Sequence, residues 1–407
     1  MDAVKPLSVL LITPQWARDG GVGAHVQASA QVLAREGIDV TVLVERIESD
    51  ERIEGVALYQ SEQLCNTRCS PEERLGEVLS DQPAIAHLHQ IDDPDVVTAL
   101  QPRVPVVISA HGYTACASGL HYFRPGHECT RAHGVGCVPY LPVCTHVRNP
   151  GRLPGKYQHA ARGLEALRRA DLAVSYSSAV DRHLAASRIH RRALVPYFPT
   201  IAPKHRPPAA ERRVLFAGRV VSAKGVAVLI RAAREVDAEF FICGDGRQGQ
   251  AMRKLARRMG LERRIHFTGW LAGGELAAQV AAASVIALPS LWPEPFGLIG
   301  IEAHAASRPV VASDTGGVRD WLEDGVNGLC VRPGDTGELA RALNELLADL
   351  PRREAMGAAG KRSVSERFSA KRHLDVLLDA YRGARDRWAG TRPEEATETG
   401  APQSSSV

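Results

Sequence analysis

The chain has 407 residues, of which 44% are hydrophobic and 24% are charged, and its formal net charge is +4 at pH 7. This length exceeds what one hydrophobic core normally holds, so we expect two domains, and the composition excludes a disordered or fibrous protein. The mild positive charge fits an anionic substrate or an anionic membrane surface, but it is well below the charge typical of nucleic-acid-binding proteins.

The apolar runs of the chain bear on its compartment. Residues 7–12 form a short apolar run without the pattern of a secretory signal, and nowhere do about 18 apolar residues follow one another. We therefore expect a cytoplasmic protein whose eight cysteines are reduced. A peripheral contact with the inner face of the membrane stays open, because residues 156–169 mix basic residues with leucines; an ordinary solvated helix is the alternative.

The first half of the chain alternates strand-like and helix-like segments. A glycine pair precedes a helical stretch that runs from Gly21 to about Glu36. Buried strands are predicted at the apolar runs 7–12, 40–44, 84–88, 106–109 and 172–175. Strands separated by helices are typical of a parallel sheet covered on both faces, and we assign residues 1–200 to this first domain.

A proline-rich stretch at 201–210 interrupts this alternation and is interpreted as an interdomain linker. The alternation resumes in a second domain at 211–364, with predicted strands at 214–217, 239–243, 265–267, 285–288, 310–312 and 329–331 and helices at 227–236, 250–259, 275–282 and 336–347. A helix at 365–388 is long enough to return to the first domain. The polar tail at 389–407 is expected to be disordered.

This organisation predicts an α/β protein of two Rossmann-like, doubly wound domains that face each other across a cleft. Ligands of such sheets bind beyond the carboxyl ends of the strands, so the shared cleft is the expected site. The alternation of elements does not by itself name a reaction.

The first motif with chemical meaning is Gly20-Gly21-Val22-Gly23, which opens the first predicted helix. Glycines let the backbone approach a ligand, and the helix N-terminus offers free amides to a phosphate. The full dinucleotide-binding fingerprint is absent, because Val26 stands where its third glycine would be, and this disfavours a nicotinamide-dependent dehydrogenase. A glycine turn needed only for packing is the alternative.

The second motif, residues 218–225, follows the first strand of the second domain and contains Arg219 and Lys224. Two cations that flank a short loop would stabilise the charge that develops on a diphosphate leaving group. A pair of solvated surface cations is the alternative.

The most informative motif spans residues 292–302 and carries Glu294 and Glu302. Carboxylates in such apolar surroundings are costly unless they are paired or bind a ligand, and they suit pairs of sugar hydroxyls. The free amides of Gly297 and Leu298, at the start of a predicted helix, suit a phosphate. One segment thus has the groups to hold a ribose, a diphosphate and a sugar.

The spacing of Glu294 and Glu302, with Pro295-Phe296-Gly297 after the first, resembles the signature of glycosyltransferase family 4, the glycosyl transferases of group 1. Further family motifs follow in the expected order at 20–21, 218–225, 243–246, 267–269 and 313–317. The resemblance implies the GT-B arrangement of two Rossmann-like domains. It also implies a retaining transfer, most often of a hexose, from a nucleoside-diphosphate sugar, with UDP the most frequent nucleotide and GDP the next. The acceptor would be a hydroxyl of a saccharide, a lipid-linked compound or a small molecule.

The resemblance implies roles for individual residues as well. Glu302 would bind the ribose hydroxyls of the donor, and Glu294 would bind hydroxyls of the transferred sugar. Arg219 and Lys224 would neutralise the diphosphate, and His111 would lie near the reacting sugar. The rest of the implied donor-binding set is Gly20, Gly21, Trp270, Leu271, Phe296, Gly297 and Leu298, with the base against the backbone at 270–271.

Three residues depart from the family pattern. Arg319 and Asp320 stand where many relatives carry Pro and Glu, which puts the contacts of the sugar pocket in doubt. Ala110 precedes His111 where a polar residue is common, and we expect this change to be silent.

No cofactor is implied for catalysis, because the two cations of the second motif take the place of a metal ion held by an Asp-x-Asp motif.

A cysteine-rich insert at 112–155 directly follows His111 and is expected to shape acceptor binding. Its four cysteines are Cys116, Cys129, Cys137 and Cys144. No two of them have the C-x2-C spacing of a zinc ribbon. A structural zinc site, a four-cysteine Fe–S cluster and reduced, unligated thiols remain open, whereas a disulfide is disfavoured in a reducing compartment.

Two other functions stay open for the same fold. A sugar-nucleotide epimerase would form its product from the donor alone, and a non-catalytic subunit would bind the nucleotide sugar without transferring it. The presence of His111, Arg219, Lys224, Glu294 and Glu302 argues against lost catalysis. The expected partners are a nucleotide-sugar donor and a sugar-containing or small-molecule acceptor, and no nucleic acid.

Overall fold

The computed structural model describes residues 7–17, 21–49, 52–79, 83–116, 122–124, 127–129, 131, 133–144, 150–201, 212–271 and 273–390. These residues form two parallel sheets covered by helices, as the sequence predicts. Most of the linker expected at 201–210 and of the tail expected at 389–407 lies outside the described residues. Within the described part of the chain, none of the helices is both long enough and apolar enough to cross a bilayer.

The first domain contains a seven-stranded sheet in the order β3-β2-β1-β4-β5-β8-β9. The strands of this domain are β1 (Ser8–Trp16), β2 (Asp39–Ile47), β3 (Val56–Gln60), β4 (Ile85–His89), β5 (Val106–Ala110), β6 (Tyr122–Arg124), β7 (His127–Glu128), β8 (Leu172–Ser175) and β9 (Arg192–Leu194). Its helices are α1 (Gly21–Arg35), α2 (Pro71–Leu75), α3 (Pro94–Leu100), α4 (Leu141–Cys144), α5 (Leu153–Arg169) and α6 (Ser178–Ala186). Strands β6 and β7 form a separate antiparallel pair.

The second domain contains a six-stranded sheet in the order β12-β11-β10-β13-β14-β15. Its strands are β10 (Arg213–Ala217), β11 (Glu239–Cys243), β12 (Ile265–Gly269), β13 (Val285–Leu288), β14 (Val310–Ser313) and β15 (Gly328–Val331). The helices that follow the linker are α7 (Val226–Ala232), α8 (Gly249–Arg258), α9 (Gly273–Ala282), α10 (Leu298–Ala305), α11 (Thr336–Ala348), α12 (Leu350–Arg367) and α13 (Ala370–Gly390).

Each sheet reverses its strand order once, between β1 and β4 in the first domain and between β10 and β13 in the second. The loops on the two sides of such a reversal leave in opposite directions and open a crevice at the carboxyl ends of the strands. The central strands β4, β5, β13 and β14 are buried at every position, which fits their continuous apolar sequences. The expectation of a doubly wound α/β fold in both halves is therefore confirmed.

Three elements of the sheets were not predicted. Strand β3 is largely exposed, β9 has only three residues, and the β6–β7 pair is short, so none of them has the apolar run of a buried strand. The helix expected at 365–388 is present as α13, but it begins at Ala370, and residues 365–367 belong to the end of α12. Ser369 separates the two helices and caps the second by accepting a hydrogen bond from the amide of Arg372 at 3.2 Å.

Helix α13 packs on the first domain. The Tyr381 hydroxyl hydrogen-bonds to Nδ1 of His87 in β4 at 2.7 Å, and Trp388 Nε1 donates to the carbonyl oxygen of Gln101 at 2.8 Å. One hydrophobic cluster includes Tyr381, Tyr197 near the end of the first domain, and Phe296 in the second. The two domains and the last helix thus share a continuous core behind the cleft.

Candidate active site

A cleft with a cavity volume of about 460 Å³ separates the two domains at the carboxyl ends of their sheets. Ten of the residues proposed from the sequence line it: Gly21, His111, Arg219, Lys224, Trp270, Leu271, Phe296, Gly297, Leu298 and Glu302. Gly20 lies outside the described residues, and Glu294 does not line the cavity. The sequence did not identify Gln15, Gln90, Tyr197 and Thr200, which also line it.

Two helix N-termini face this cleft. Helix α1 begins at Gly21, and α10 begins at Leu298. A β-carbon added to Gly21 would lie 3.3 Å from Cδ1 of Leu298, so the two helix starts nearly touch. Because the first amides of a helix have no partner within the helix, both ends present N–H groups to an anion in the cleft.

The loop before α10 is held by hydrogen bonds that its backbone carbonyl groups accept. Gly297 has a φ of 85°, a left-handed conformation that glycine adopts without steric cost, and it caps the helix. The indole nitrogen of Trp321 donates to the carbonyl oxygen of Phe296 at 2.7 Å, and the amide of Gly317 donates to the carbonyl oxygen of Glu294 at 2.7 Å. These contacts hold the segment that leads into Leu298, which lines the cleft.

A close backbone approach brings the second motif to the third. At Gly225, which has a φ of 67°, a β-carbon would lie 1.8 Å from the carbonyl oxygen of Pro289. Only glycine permits this approach, so the turn that carries Lys224 packs directly on the segment after β13. Arg219 lies on the same loop and lines the cleft with Lys224.

Glu294 lies behind Lys224 and is 1% exposed. Its carboxylate accepts hydrogen bonds from Nζ of Lys224 at 2.6 and 2.9 Å, from the hydroxyl of Ser290 at 2.5 Å and from the indole nitrogen of Trp292 at 3.0 Å. Both carboxylate oxygens are therefore occupied by protein donors. In this structure Glu294 orients Lys224, and its contact with sugar hydroxyls stays a prediction.

Glu302 joins the donor side of the cleft to the segment that leaves the first domain. Its Oε1 accepts a hydrogen bond from the hydroxyl of Thr200 at 2.9 Å. Burial raises the pKa of the Glu302 carboxyl, and the hydrogen bonds from Thr200 and from the amide of Ile201 lower it in part. A buried carboxylate beside one hydroxyl and two amides is a site where ribose hydroxyls can substitute for existing donors.

His111 lies on the first-domain side of the cleft with both ring nitrogens engaged. Nε2 is 2.9 Å from Nδ1 of His89, and Nδ1 is 2.8 Å from the hydroxyl of Tyr197. Burial lowers the pKa of His111 to about 3, so the ring is neutral at physiological pH. The part of His111 that faces the cleft is therefore an uncharged ring whose nitrogens already have partners.

Arg319 and Asp320, which depart from the family pattern, do not line the cavity. Arg319 pairs with Asp314 through two contacts of 2.7 and 2.8 Å, and neither it nor Asp320 lines the cleft. Asp320 instead accepts hydrogen bonds from the amide and hydroxyl of Ser178, at the start of α6 in the other domain. Asp320 thus connects the two domains, and the expected effect on sugar-pocket contacts stays a prediction.

The thiols of the cysteine-rich insert lie near one another. Burial, together with the neighbouring Cys116, Cys129 and Cys137, raises the pKa of Cys144 to about 11. In the described part of the chain, no three His, Cys, Asp or Glu side chains have an arrangement that would hold a metal ion. The side chains of His121, His127 and His146 lie outside the described residues. The choice between a metal site and free thiols stays open.

The second domain matches a known family by sequence. Residues 198–363 match the family model described as glycosyl transferases group 1. The chain is 32% identical over 176 residues to an uncharacterized glycosyltransferase of Methanocaldococcus jannaschii. This alignment covers 42% of this chain and 45% of that protein. It is 33% identical over 174 residues to the alpha-D-kanosaminyltransferase of Streptomyces kanamyceticus, with 42% and 45% covered. These alignments span less than half the length of the two relatives.

Alignments that cover most of the chain have lower sequence identity. A D-inositol 3-phosphate glycosyltransferase of Paenarthrobacter aurescens is 26% identical over 398 residues, which cover 90% of this chain and 93% of that protein. Among solved structures, sucrose-phosphate synthase from Thermosynechococcus elongatus superposes with a TM-score of 0.71 at 20% identity, covering 95% of this chain and 100% of that one. The Anabaena protein HepE in complex with UDP superposes with a TM-score of 0.65 at 18% identity, covering 92% and 99%. Both structures support the GT-B fold, and the second domain of the chain is similar in sequence to the group 1 glycosyltransferases.

Proposed function

We propose that the protein is a retaining glycosyltransferase that moves a hexosyl group from UDP-sugar or GDP-sugar to a hydroxyl of a saccharide, lipid-linked or small-molecule acceptor. The observation that carries this proposal is the convergence on one cleft of two cations, Arg219 and Lys224, the N-terminus of α10, and the buried carboxylate of Glu302. A nucleoside-diphosphate sugar has a matching group for each of them: a diphosphate for the cations and amides, and ribose hydroxyls for the carboxylate.

The donor would lie along the second domain. Its diphosphate would bind between the side chains of Arg219 and Lys224 and the amide of Leu298, its ribose would bind Glu302, and its base would lie against the backbone at 270–271. Anabaena HepE has been solved in complex with UDP and also in complex with UDP-glucose. A nucleotide in the same cleft of this chain is consistent with that similarity of fold.

Transfer with retention would proceed by attack on the face from which the diphosphate leaves. The bond between the anomeric carbon and the diphosphate oxygen breaks, and its electron pair stays on the diphosphate. The acceptor oxygen bonds to the same carbon, and its proton goes to the leaving oxygen. Arg219 and Lys224 stabilise the charge on that oxygen, while the neutral ring of His111 packs near the sugar.

A covalent sugar–enzyme intermediate is the alternative route to retention, and it needs a carboxylate that can reach the anomeric carbon. Glu294 is the candidate that the sequence provides. Its two oxygens already accept hydrogen bonds from Lys224, Ser290 and Trp292, and it does not line the cavity. This arrangement favours same-face attack.

The compartment is part of the proposal. We place the protein in the cytoplasm, and the eight cysteines, all free in the structure, fit the reducing conditions there. A peripheral contact with the inner face of the membrane would involve α5. Two arginines of that helix already have acidic partners, since Arg162 pairs with Asp93 at 2.6 Å and Arg169 pairs with Glu165 at 2.9 Å.

Two measurements test the proposed function. The first is a thermal-shift screen with UDP, GDP, ADP, dTDP and their sugars. The nucleotide that the protein binds, and its sugars, should raise the melting temperature most, because ligands that bind only the folded state stabilise it. NMR of the anomeric proton in the product should then show the configuration of the donor. An inverted linkage would contradict the mechanism, product from donor alone would indicate an epimerase, and binding without transfer would indicate a non-catalytic subunit. The relatives' names describe transferases and do not favour the last two.

A further inference from the structure

Two carboxamide side chains face the cleft from the first domain without a hydrogen-bond partner in the described protein. Gln15 lies near the carboxyl end of β1, Gln90 directly follows β4, and both line the cavity. The two strands are neighbours, with Ile12 paired to Leu88, so their carboxyl ends lie side by side. The first domain thus presents two unpaired amide groups at one edge of its sheet.

The backbone at Gln90 is unusual for a residue in this position. Among the described residues, Gln90, Arg188 and Ser307 are the non-glycine residues with positive φ, at 57°, 60° and 58°. Arg188 and Ser307 each follow a helix by two residues, where a left-handed conformation commonly ends the helix. Gln90 follows a strand, so helix termination does not explain its conformation. Strain of this kind concentrates at sites where a side chain must point in a particular direction.

The described residues of the first-domain wall carry no charge. Of the described residues that line the cavity, the charged ones are Arg219, Lys224 and Glu302, and all three belong to the second domain. His111 is neutral, and both of its nitrogens are engaged by His89 and Tyr197. Among the described residues of this wall, the two carboxamides are therefore the hydrogen-bonding side chains that have no partner.

We propose that Gln15 and Gln90 bind an uncharged, hydroxyl-rich part of the acceptor next to the hydroxyl that receives the sugar. A carboxamide has two N–H donors and a carbonyl acceptor, so it pairs with neighbouring hydroxyls, each of which donates and accepts. A phosphate or carboxylate at the same place would find no charged side chain to balance it among the described residues of this wall. This inference rests on the proposed function, because it identifies the acceptor class for the same cleft.

An acceptor panel tests the class of compound. The unaltered protein, with its preferred nucleotide sugar, is assayed with glycerol, myo-inositol, methyl α-glucoside and methyl α-mannoside, each beside its phosphate monoester. We expect at least one uncharged compound to accept the sugar, with kcat/KM about tenfold or more above that of its phosphate ester, the scale of one lost charge-assisted or buried hydrogen bond. A panel in which no uncharged member accepts the sugar, or in which the esters are preferred, overturns the inference.

Variants of Gln90 test the residue itself. Gln90→Gly keeps a backbone that tolerates positive φ and removes the carboxamide, and it should raise the acceptor KM by about tenfold with little change in the donor KM. Gln90→Asn keeps a carboxamide on a residue that tolerates this conformation and should restore part of the affinity. Gln15→Ala should raise the acceptor KM in the same way.

The matched control is Arg188→Gly, which also replaces a residue of positive φ by glycine but lies outside the cleft. Its acceptor KM should equal that of the unaltered protein. A purely structural role for Gln90 would predict a lower melting temperature for Gln90→Gly with no selective change in the acceptor KM. Unchanged acceptor KM in both Gln90→Gly and Gln15→Ala would refute this inference alone. If the unaltered protein neither transfers sugar nor releases it from any donor, the proposed function itself fails.

Discussion

Lys224 and Glu294 form a buried ion pair in which Nζ of the lysine lies 2.6 Å from one carboxylate oxygen and 2.9 Å from the other. The lysine side chain is 17% exposed and that of the glutamate 2%. Lys224 faces the cleft while Glu294 is enclosed by Ser290 and Trp292. The carboxylate therefore fixes the position of the cation that would meet the leaving diphosphate.

Replacing Lys224 should affect both activity and stability. Lys224→Ala removes one stabiliser of the leaving-group charge, and we expect kcat to fall by about 10²–10³. The same change leaves Glu294 buried without its cation, which typically costs about 3–5 kcal/mol of the free energy of unfolding. Steady-state kinetics and urea denaturation measure the two effects.

The double variant Lys224→Met/Glu294→Gln separates these two effects. It removes both charges, so the free energy of unfolding should recover most of what Lys224→Ala loses, while kcat stays low. Recovery of kcat together with stability would show that Lys224 has only a structural role.

Glu302 should contribute to nucleotide affinity. Glu302→Gln keeps the shape of the side chain and removes its charge, so calorimetric titration with the preferred nucleotide should show binding weakened by about 1–3 kcal/mol. Thr200→Val is the matched variant, because it removes the hydroxyl that occupies Glu302 Oε1 in the structure. We expect nucleotide binding by Thr200→Val to be no weaker than that of the unaltered protein. Equal affinities for Glu302→Gln and the unaltered protein would exclude a ribose contact.

The protein should lose stability in mild acid because of buried histidines behind the cleft. Burial lowers the pKa of His87 to about 3 and that of His373 to about 4, and it lowers the pKa values of His25 and His89 well below the usual 6.5. Below about pH 6.5 the unfolded chain binds protons that the folded protein does not, so the free energy of unfolding falls as pH falls from about 6.5 toward 4. Each histidine adds up to about 1.4 kcal/mol per pH unit to this slope.

Urea denaturation at pH 7, 6 and 5 measures the slope. His87→Gln should reduce it by up to about 1.4 kcal/mol per pH unit, since one titrating group is removed. A slope that His87→Gln leaves unchanged would show that His87 is not neutral in the fold.

Elemental analysis distinguishes the two states of the cysteine-rich insert. If its thiols hold a structural metal, protein purified without added metal should contain close to one zinc, or iron with labile sulfide, per chain, and Cys129→Ser should lose it. Cys330→Ser, in the second domain, should keep the metal. Metal-free protein with full activity would leave reduced, unligated thiols.

Most of the sheets could be predicted from the sequence because their central strands are buried on both faces. A continuous apolar run such as that of β5 is recognisable without knowing its neighbours. Strand β9 has three residues of which none is fully buried, and only its pairing with β8 makes it a strand. Ser369 lies within the helix predicted at 365–388, and a serine there is a recognisable signal for one helix to end and another to begin.

The sequence by itself determined the fold class and the cleft residues of the second domain, because the motifs at 218–225 and 292–302 each lie on one short loop at the end of a strand. Only the tertiary structure decided how those residues pair. Lys224 and Glu294 are 70 positions apart, and His111 and Tyr197 are 86 apart. Hydrogen bonds of this kind depend on the register of neighbouring strands and on close backbone approaches such as that of Gly225 to Pro289, which no local sequence pattern encodes. For the same reason the free carboxamides of Gln15 and Gln90 became visible only when the ends of β1 and β4 lay side by side.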